Sequence, residues 1–431
     1  MPSDTLKREW EDYKARRSYW RAKNRFYHEY VDRLVGFLVP KDARTFVADD
    51  AAIDTAGKEG SYEYIVISDL LGYVYDIEDF LKKAEQCLAP DGRIVITHYN
   101  ALWEPILRLA SLLRLRAPSV EQNWLSPHDL RTFLHLAGFD VIRSGNKMLF
   151  PKYVPLLSSF LNVIVANLWP FSSLCLIHYV VARPLPKGSA ANPSLSIIVP
   201  ARNEAGTIER IIRELPTVGA FTEVIFVEGH STDNTRDVIK KAVAGYTGDK
   251  RVRLAVQEGK GKGDAVRKGF EMAEGDMLAI YDADMTVPSE DVAKFYNAII
   301  ENRGDFINGS RLVYPVEKGA MRLLNMAANF FFSVAFSAIL GQPLKDTLCG
   351  TKVLRKRDYE RIVAHRAFFG DFDPFGDFDL LFGAAKLNLK IVDLPIRYRE
   401  RVYGTTNISR WRHGWLLLKM TVFAARKLIF F

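Results

Sequence analysis

Short apolar runs that end in polar turns recur in the second half of this chain, and one of them ends in two acids. Asp282 and Asp284 stand one residue apart directly after the run at residues 277–281. Similar runs, each followed by a turn and a helical pattern, lie at residues 194–200, 223–228 and 252–256. Strand, turn and helix repeated in this order predict a parallel α/β sheet whose strands share one carboxyl edge. Two carboxylates at such an edge can hold a hard divalent cation against a diphosphate.

The length and charge of the chain limit its class. At 431 residues it exceeds what one core usually holds, so we predict two domains. Lys and Arg outnumber Asp and Glu by 59 to 51, and the net charge of +8 suits nucleic acid, anionic lipid or phosphorylated substrates. Cys87, Cys175 and Cys349 are too widely spaced to indicate a disulfide framework or a zinc site, which favours a reducing cytoplasm. We expect no secretion signal, because the first residues are polar.

A stretch rich in proline and small polar residues separates two patterned regions. It predicts a linker between two domains, because such residues interrupt regular structure. The predicted divisions are a first domain at residues 1–185, the linker at 186–193, a second domain at 194–410 and a tail at 411–431.

The first domain carries the signals of a smaller α/β sheet. Two β-branched runs flank a helical stretch, and a closing antiparallel pair of strands is expected after them. The two runs lie at residues 64–68 and 93–97, the helical stretch at 77–87, and the closing pair at 139–143 and 174–182. Across residues 35–185 these pieces resemble the later strands of a class I S-adenosylmethionine-dependent methyltransferase.

The methyltransferase resemblance is incomplete at the cofactor pocket. The candidate first strand, residues 43–48, runs into residues 49–54 without the glycine-rich turn that lets the backbone approach the cofactor. Only about a dozen residues then precede Tyr64, too few for a crossover helix and two further strands. We therefore expect a truncated Rossmann-like domain that binds no S-adenosylmethionine, has no methyltransferase activity and serves a structural or docking role.

A loop of alternating glycine and lysine at residues 259–263 opens a predicted helix just before the paired acids. Its backbone N–H groups and the charge of Lys262, next to Gly263, suit a diphosphate. A solvated lysine loop is the alternative for this segment taken alone. Arg202 and Glu204, which follow the first strand of the second domain, are expected at the same ligand-facing edge.

Six motifs in the second domain resemble, in order, those of glycosyltransferase family 2, and most of all its polyprenyl-phosphate sugar transferases. They lie at residues 199–204, 227–235, 281–284, 308–311, 346–352 and 401–407. The resemblance implies a C-terminal GT-A, Rossmann-like glycosyltransferase domain that follows the truncated one. The sequence departs from the family at three places: Glu228 replaces an aspartate, Thr286 a glutamine, and Thr406-Asn407 a Ser-Lys pair.

The family resemblance also implies roles for single residues. Asp284 would bind Mg²⁺ or Mn²⁺, and Asp282 would lie near the ribose or the metal. The nucleotide pocket would be lined by Pro200, Arg202, Glu204 and Glu228, joined by Lys262 and Gly263 of the glycine- and lysine-rich loop. The phosphates of acceptor or donor would be bound by Arg311, Lys352 and Arg401.

Charge determines the expected chemistry. Breaking the bond between a sugar and a nucleoside diphosphate places negative charge on the leaving group, which a divalent cation neutralises. Displacement from the opposite face inverts the anomeric carbon. An acceptor hydroxyl would need a base, for which Asp377 and Asp379 are the candidates, whereas an acceptor phosphate is already anionic and mainly needs orientation. Asp371 and Asp373 in the same segment suit turns equally well.

Three segments bear on membrane contact. No acid follows Glu400, and Arg412, Lys419 and Arg426 recur every seven residues beside an apolar face, which is typical of a helix on an anionic membrane surface. Residues 325–344 lack charge but carry polar residues at a spacing of four, so we expect a helix at the interface or packed on the domain, with a membrane-spanning helix as the alternative. Residues 153–182 fit core packing or partial membrane contact.

These patterns together predict a metal-dependent inverting glycosyltransferase, peripheral on the inner, cytoplasmic face of the membrane, that moves a sugar from a nucleotide-sugar donor to polyprenyl phosphate. A family 2 transferase acting on a sugar hydroxyl in polysaccharide or glycolipid synthesis is the first alternative. A non-enzymatic nucleotide-binding scaffold is the second. A nucleic-acid partner is disfavoured, because the basic residues of the tail alternate with Leu, Phe and Trp rather than covering a hydrophilic face.

Overall fold

The computed structural model describes most of the chain, and its contacts divide the chain into two units. The described residues are 18–48, 53, 59–117, 123–185, 192–314, 323–366, 378–401, 403 and 410–429. The first unit comprises residues 1–187 with 429–431, and the second comprises residues 188–428.

The described part of the first unit contains a five-stranded sheet in the order β1-β2-β3-β5-β4. Its strands are β1 (Thr45–Ala48), β2 (Tyr62–Ser68), β3 (Leu88–Tyr99), β4 (Phe139–Lys147) and β5 (Ile177–Pro184). Its helices are α1 (Arg25–Leu38), α2 (Ile77–Cys87), α3 (Glu104–Leu112) and α4 (Pro127–Leu136). Single helical turns lie at Leu71–Tyr73, Ala101–Trp103, Leu157–Ser159, Phe160–Ile164, Val165–Asn167 and Phe171–Leu174.

The pairing within this sheet agrees with the truncation expected from the sequence. β1 pairs in parallel with β2, and β2 with β3, and β1 is the edge strand, so no further strand of the described residues lies beyond it. β5 runs antiparallel to both β3 and β4, which confirms the predicted closing pair. Side chains of β2 and β3 alternate between two apolar clusters, because both faces of the sheet are covered.

Local signals account for two helices of the first unit. The Asp76 carboxylate accepts a hydrogen bond from the backbone of Asp79 and caps α2. At α4, Ser126 and Asp129 form a reciprocal capping box, and Pro127 occupies the first turn, where its missing N–H costs nothing.

The second unit contains a seven-stranded sheet in the order β12-β10-β11-β9-β6-β7-β8 within the described residues. Its strands are β6 (Leu195–Ala201), β7 (Thr222–Glu228), β8 (Arg251–Val256), β9 (Met277–Ile280), β10 (Phe306–Ser310), β11 (Lys352–Arg355) and β12 (Ile391–Pro395). Its helices are α5 (Ile208–Glu214), α6 (Thr235–Gly245), α7 (Lys262–Met272), α8 (Asp291–Ile300), α9 (Leu323–Leu340), α10 (Lys356–Ala364), α11 (Phe378–Lys386) and α12 (Arg410–Leu428).

Four neighbouring strands of this sheet, β9, β6, β7 and β8, are parallel, as the repeated strand, turn and helix pattern predicts. β11 runs antiparallel to β9 and β10. In the register, Ala201 at the end of β6 lies opposite Glu228 at the end of β7, and Ile198 lies opposite Ile280 at the end of β9. The loops that carry the predicted site residues therefore leave the sheet at one edge.

The uncharged segment at residues 325–344 packs on its own unit. Ser333 and Ser337 each donate a hydrogen bond to the Leu344 carbonyl, at 2.7 and 3.0 Å, and Asn329 donates to Asp346. The polar residues at a spacing of four thus anchor α9 to the loop that follows it. No helix in the described ranges combines the length and apolar character needed to cross a membrane.

The tail helix α12 packs against α9, and its apolar residues divide into two groups. Leu417, Met420, Ala424 and Leu428 are buried. Trp415 and Val422 are exposed, as are the basic residues Lys419 and Arg426 between and beside them. Most of the apolar face predicted for the tail therefore contacts protein, and a narrower stripe reaches the surface. The side chain of Arg412 lies outside the described part.

Candidate functional site

The paired acids lie where β9 ends, beside the turns that follow β6 and β7. Glu204 follows β6, Glu228 ends β7, and Asp282 and Asp284 follow β9. Tyr281, at the end of β9, is fully buried and its hydroxyl donates to the Val287 carbonyl at 2.8 Å, which holds the turn against the core. This edge is the place where open α/β sheets bind ligands.

Arg401 joins two of these carboxylates. Its Nη1 lies 2.7 Å from Oε1 of Glu204, and its Nη2 lies 2.8 Å from Oδ2 of Asp284. The other oxygen of Asp284 accepts from the Thr286 hydroxyl at 2.9 Å. One guanidinium therefore bridges both acids across the site, and charge-assisted hydrogen bonds of this kind are among the stronger ones.

Glu204 has an unusual environment. Burial, together with the nearby charge of Asp284, raises the pKa of Glu204 to about 7 against the opposing effect of Arg401. Its Oε2 atom is buried without a hydrogen-bond partner among the described residues. A buried oxygen in this position can accept a hydrogen bond from a ligand, and the raised pKa marks Glu204 as a functional-site candidate.

Asp282 pairs with Lys262, whose ammonium lies 2.5 Å from Oδ1. Burial acts to raise the pKa of Asp282, but the attraction of Lys262 outweighs it, so the pKa is lowered. Lys262 is the first residue of α7, and Gly261 before it has a φ of 89°, a backbone angle that glycine adopts without strain. The glycine- and lysine-rich loop thus delivers a cation to the paired acids, as its position in the sequence suggests.

The backbone of Gly350 passes very close to this ion pair. A Cβ built on Gly350 would lie 2.1 Å from Oδ2 of Asp282 and 2.2 Å from Nζ of Lys262. A side chain at this position would displace the ends of the Asp282 and Lys262 side chains, so glycine is needed for the ion pair as it stands. Sequence analysis did not single out this residue, although it lies within the motif at residues 346–352.

The loops after β6 and β7 are fastened to each other. The Asn203 amide oxygen accepts from the Thr232 N–H at 2.8 Å, and the Asn203 N–H donates to the Ser231 hydroxyl at 3.1 Å. Glu228, predicted to face the nucleotide, is buried and accepts from the Ser231 N–H at 2.5 Å. The other predicted pocket residues of this edge lie further out: Pro200 is half-buried, and Arg202 is exposed.

All three predicted phosphate-binding cations are engaged by the protein, Arg401 through the bridge to Glu204 and Asp284. Arg311 binds Asp346 through two nitrogens, at 2.7 and 2.8 Å. Asp346 is fully buried, and although burial acts to raise its pKa, Arg311 holds the pKa at about 2. Lys352 is also fully buried and donates to the Cys349 carbonyl. Their contact with a phosphate stays a prediction, and it would require these bonds to open.

The predicted base residues lie apart from the Arg401 bridge or outside the described chain. Asp377, with Asp371 and Asp373, belongs to a segment that the structure does not describe. Asp379 lies in the first turn of α11, 3.8 Å from Arg267 and 4.0 Å from Arg366. It therefore belongs to a second group of charges, and its role as a base stays a prediction.

The residues at this edge suit a divalent cation that shares its ligands with a substrate. Asp282 and Asp284 supply hard carboxylate oxygens, the donors that Mg²⁺ and Mn²⁺ prefer. The described residues contain no cluster of three or more His, Cys, Asp or Glu side chains able to hold a metal ion. Mg²⁺ is commonly held by one or two carboxylates together with substrate phosphates, so two acids are an adequate protein contribution.

A segment in each half of the chain matches a known protein family. Residues 196–363 match the family model for glycosyl transferase family 2, and residues 12–144 match that for a methyltransferase domain. Glycosyltransferase AglJ of Haloferax volcanii is 29% identical over 226 residues, which are 52% of this chain and 69% of AglJ. Human dolichyl-phosphate beta-glucosyltransferase is 27% identical over 243 residues, 52% of this chain and 71% of that protein.

One solved structure is similar to this chain at a low level. Glucosyl-3-phosphoglycerate synthase from Mycobacterium tuberculosis is 17% identical, with a TM-score of 0.40, over 55% of this chain and 80% of that chain. The matches of the two halves to family models confirm the predicted resemblances, and with the two α/β sheets they confirm the predicted fold class.

Proposed function

We propose that this chain, which carries a glycosyl transferase family 2 domain after a methyltransferase-like domain, transfers a sugar from a nucleotide-sugar donor to a polyprenyl phosphate at a membrane surface, with inversion at the anomeric carbon. The observation that carries the proposal is the pairing of each acid after β9 with its own cation. Asp282 pairs with Lys262, and Asp284 pairs with Arg401. The site therefore holds both signs of charge that a metal and a diphosphate require.

The charges of the site can be exchanged without leaving any of them unpaired. In the structure the two cations neutralise the two aspartates. When a divalent cation and a diphosphate enter together, the aspartates can turn to the cation, and Lys262 and Arg401 can turn to the phosphate oxygens. This exchange matters because a buried charge without a partner is costly. Lys262 at the start of α7 is well placed for the diphosphate, since helix N-termini favour anions.

The metal ligands in this proposal are Asp284 and Asp282, and the metal is Mg²⁺ or Mn²⁺. When bound, such an ion neutralises charge that develops on the departing nucleoside diphosphate. The chain contributes the rest: Lys262 and Arg401 orient the phosphates, and the Glu204 Oε2 atom accepts a hydrogen bond from the donor. Pro200, Arg202, Glu228 and Gly263 border the space for the nucleotide.

Two observations support a lipid-borne acceptor. The dolichyl-phosphate glycosyltransferase among the relatives is named for such a substrate. On the second unit, α9 and α12 pack together and expose apolar and basic side chains: Phe330, Phe331, Val334, Trp415, Lys419, Val422 and Arg426. A helix surface with this composition is typical of proteins that lie on an anionic membrane. We propose a peripheral position on the inner face of the membrane for this reason.

A phosphate acceptor also suits the surroundings of Asp379. A hydroxyl acceptor would need a base, whereas a phosphate is already anionic near neutral pH. The Asp379 carboxylate is already engaged by two guanidinium groups, those of Arg267 and Arg366. The transferase that acts on a sugar hydroxyl therefore remains the second candidate, with Asp377 as its base.

For the first unit we propose a structural or docking role without S-adenosylmethionine. The support is that β1 is the edge strand of the sheet within the described residues, and that the interval from Ala48 to Tyr62 is too short for a crossover helix and two further strands beyond it. Titration calorimetry of the full chain with S-adenosylmethionine tests this, and saturable binding would overturn it.

The proposed activity is tested by incubating the full chain with a panel of nucleotide sugars and a polyprenyl phosphate, with and without a metal chelator. We expect lipid-linked sugar that disappears with chelator and returns with Mg²⁺ or Mn²⁺. Asp284→Asn is expected to lower the rate by about 100-fold or more, while Asp237→Asn on the exposed side of α6 leaves it unchanged. Undiminished transfer by Asp284→Asn would contradict the metal assignment, and transfer only to free saccharides would favour the hydroxyl acceptor.

A further inference from the structure

One edge of the sheet in the first unit gathers three chain segments. β3 ends at Tyr99, β4 ends at Lys147, and β5 begins at Ile177, and the register places Ile177 opposite both of the other residues. The helix α3 leaves this edge after β3. The residues between β4 and β5 leave it and return to it. Both segments therefore lie at the same end of the sheet.

Hydrogen bonds tie these two segments together. The indole N–H of Trp103 donates to the Leu174 carbonyl at 2.7 Å. The side-chain amide of Asn100 donates to the carbonyls of Ser173 and Cys175, each at 3.0 Å. The start of α3 and the end of the β4–β5 connection thus form one continuous surface.

Large apolar side chains on this surface are exposed to solvent. We call this set the edge patch, and it comprises Leu102, Ile106, Leu109, Leu112, Leu113, Leu156, Leu157, Phe160, Ile164, Leu168, Trp169, Phe171 and Leu174. Leu156 and Trp169 are each 88% exposed, and Leu112 is 79% exposed. A contiguous exposed patch of this kind marks an interaction site, because single exposed apolar residues are common but clusters of them are not.

The backbone at Leu156 points to the same conclusion. Leu156 has a φ of 63° and a ψ of −46°, the strained backbone of a γ-turn, and the Leu157 N–H donates to the Pro155 carbonyl at 2.7 Å across it. The chain gains no internal packing from this leucine, since it is almost fully exposed. A strained residue that presents an apolar side chain to solvent is consistent with an external partner.

The charges around the edge patch identify the partner. The two segments that carry the edge patch expose the cations Arg108, Arg114 and Lys152, and no Asp or Glu occurs from residue 141 to residue 203. In α3 and the residues that follow it, Glu104 is the one acid before residue 121, and it is paired with Arg108 at 2.6 Å. Apolar residues flanked by basic ones, without acids, complement anionic lipid headgroups.

We infer that the edge patch docks on an anionic lipid bilayer, with its Leu, Ile, Phe and Trp side chains entering the interface. This extends the proposed membrane association to the first unit, and it assigns that unit a task independent of any cofactor. Trp169 at the outer surface suits the headgroup level, where tryptophan is enriched. The binding of vesicles reports on this inference without any sugar transfer.

The test is sedimentation of the full chain with vesicles of neutral phosphatidylcholine alone or mixed with anionic phosphatidylglycerol. The test variant is Leu112→Gln with Leu156→Asn, because asparagine is among the non-glycine residues found most often at positive φ. The matched control is Leu136→Gln with Leu185→Asn. These leucines are 54% and 41% exposed at the opposite edge, where β4 begins and β5 ends.

We expect the test variant to partition onto anionic vesicles about tenfold more weakly or worse, and the control to bind as the unmodified chain does. Equal binding by the test variant and the unmodified chain would overturn the inference. So would a change in oligomeric state by light scattering, without lipid, in the test variant alone, since the patch would then join copies of the chain. Thermal melting of all three proteins shows whether either variant has lost its fold.

Failure of this inference is distinguishable from failure of the proposed function. Vesicle binding that depends on the edge patch, in a protein that transfers no sugar, would retain the membrane surface and reject the activity. Sugar transfer by a protein whose vesicle binding does not depend on the edge patch would retain the activity and reject the membrane surface.

Discussion

Arg401 and Asp284 are joined by a hydrogen-bonded ion pair of 2.8 Å, although they lie 117 positions apart in the chain. The same guanidinium binds Glu204, 197 positions away, at 2.7 Å. Arg401, which we propose binds a phosphate, is thus paired with the carboxylate of Asp284, which we propose binds a metal. In the absence of substrate the two functions compete for one oxygen, and this competition can be measured.

Removing Arg401 should increase the affinity of the free protein for Mn²⁺. Arg401→Ala releases Asp284 and removes a positive charge that repels the ion, so we expect Mn²⁺ to bind about tenfold more tightly without donor. Electron paramagnetic resonance of free Mn²⁺ gives the dissociation constant. Arg399→Ala, which breaks an exposed pair with Glu290, is the control and should change little. Unchanged or weaker Mn²⁺ binding by Arg401→Ala would rule out the competition.

Gly350→Ala should impair sugar transfer while the protein remains folded. The added methyl group would push Asp282 and Lys262 apart, because no space exists for a Cβ beside them. We expect the transfer rate to fall by about tenfold or more, since small displacements of positioning groups are costly. Gly245→Ala at the end of α6, where a Cβ meets nothing within 4 Å, is the control. Full activity of Gly350→Ala would show that the Asp282–Lys262 pair is not needed.

Asp346→Asn should destabilise the second unit strongly. The change leaves the buried charge of Arg311 without its partner, and breaking one side of a buried pair typically costs about 3–5 kcal/mol. Glu290→Gln removes an exposed pair and should cost about 1 kcal/mol or less. Urea denaturation followed by circular dichroism compares the two variants. If both variants lost only about 1 kcal/mol of stability, water would have to solvate the Arg311 guanidinium in place of Asp346.

Glu204 should make stability depend on pH near neutrality. Its folded pKa of about 7 exceeds the ordinary value of 4.5, so the folded chain holds this proton more tightly than the unfolded chain. The resulting stability is complete below the ordinary pKa and is lost as the pH rises through the folded pKa. Glu204→Gln cannot titrate at this position. The melting temperature of the variant minus that of the unmodified chain should therefore rise by a few degrees between about pH 5 and about pH 8.

Glu214→Gln provides the control for this pH experiment. A hydrogen bond from Arg210 lowers the pKa of Glu214, so it stays ionised throughout that range. The difference in melting temperature between Glu214→Gln and the unmodified chain should therefore stay constant over the same pH range. A flat difference for Glu204→Gln as well would contradict the raised pKa.

Reversing the exposed charges of the tail should weaken membrane binding. Lys419→Glu with Arg426→Glu places two acids on the exposed stripe of α12, and we expect partition onto anionic vesicles to fall about tenfold or more. Lys240→Glu with Lys241→Glu on the exposed side of α6 makes the same change in net charge elsewhere on the second unit. Equal losses for both pairs would indicate a general charge effect rather than a membrane-facing tail.

Much of the architecture could be predicted because its signals are local. The repeated apolar runs and turns predicted the parallel strands β6 to β9, and the short interval before Tyr64 predicted the direct pairing of β1 with β2. The tail helix shows where such signals mislead. Its apolar residues predicted one membrane-facing side, but α9 packs against α12 and buries Leu417 and Met420. Hydrophobicity shows that a face is buried without showing what buries it.

The sequence by itself determined the order of strands and helices and placed Asp282, Asp284 and Lys262 near one edge, because periodicity and strand ends are written in neighbouring residues. Only the tertiary structure decided that Arg401 bridges Glu204 and Asp284. It also decided that the Gly350 backbone lies beside Asp282 and that Asp346 pairs with Arg311. These contacts join residues far apart in the chain. They depend on which distant segments of the second unit pack together, and no periodic pattern in the sequence indicates this packing.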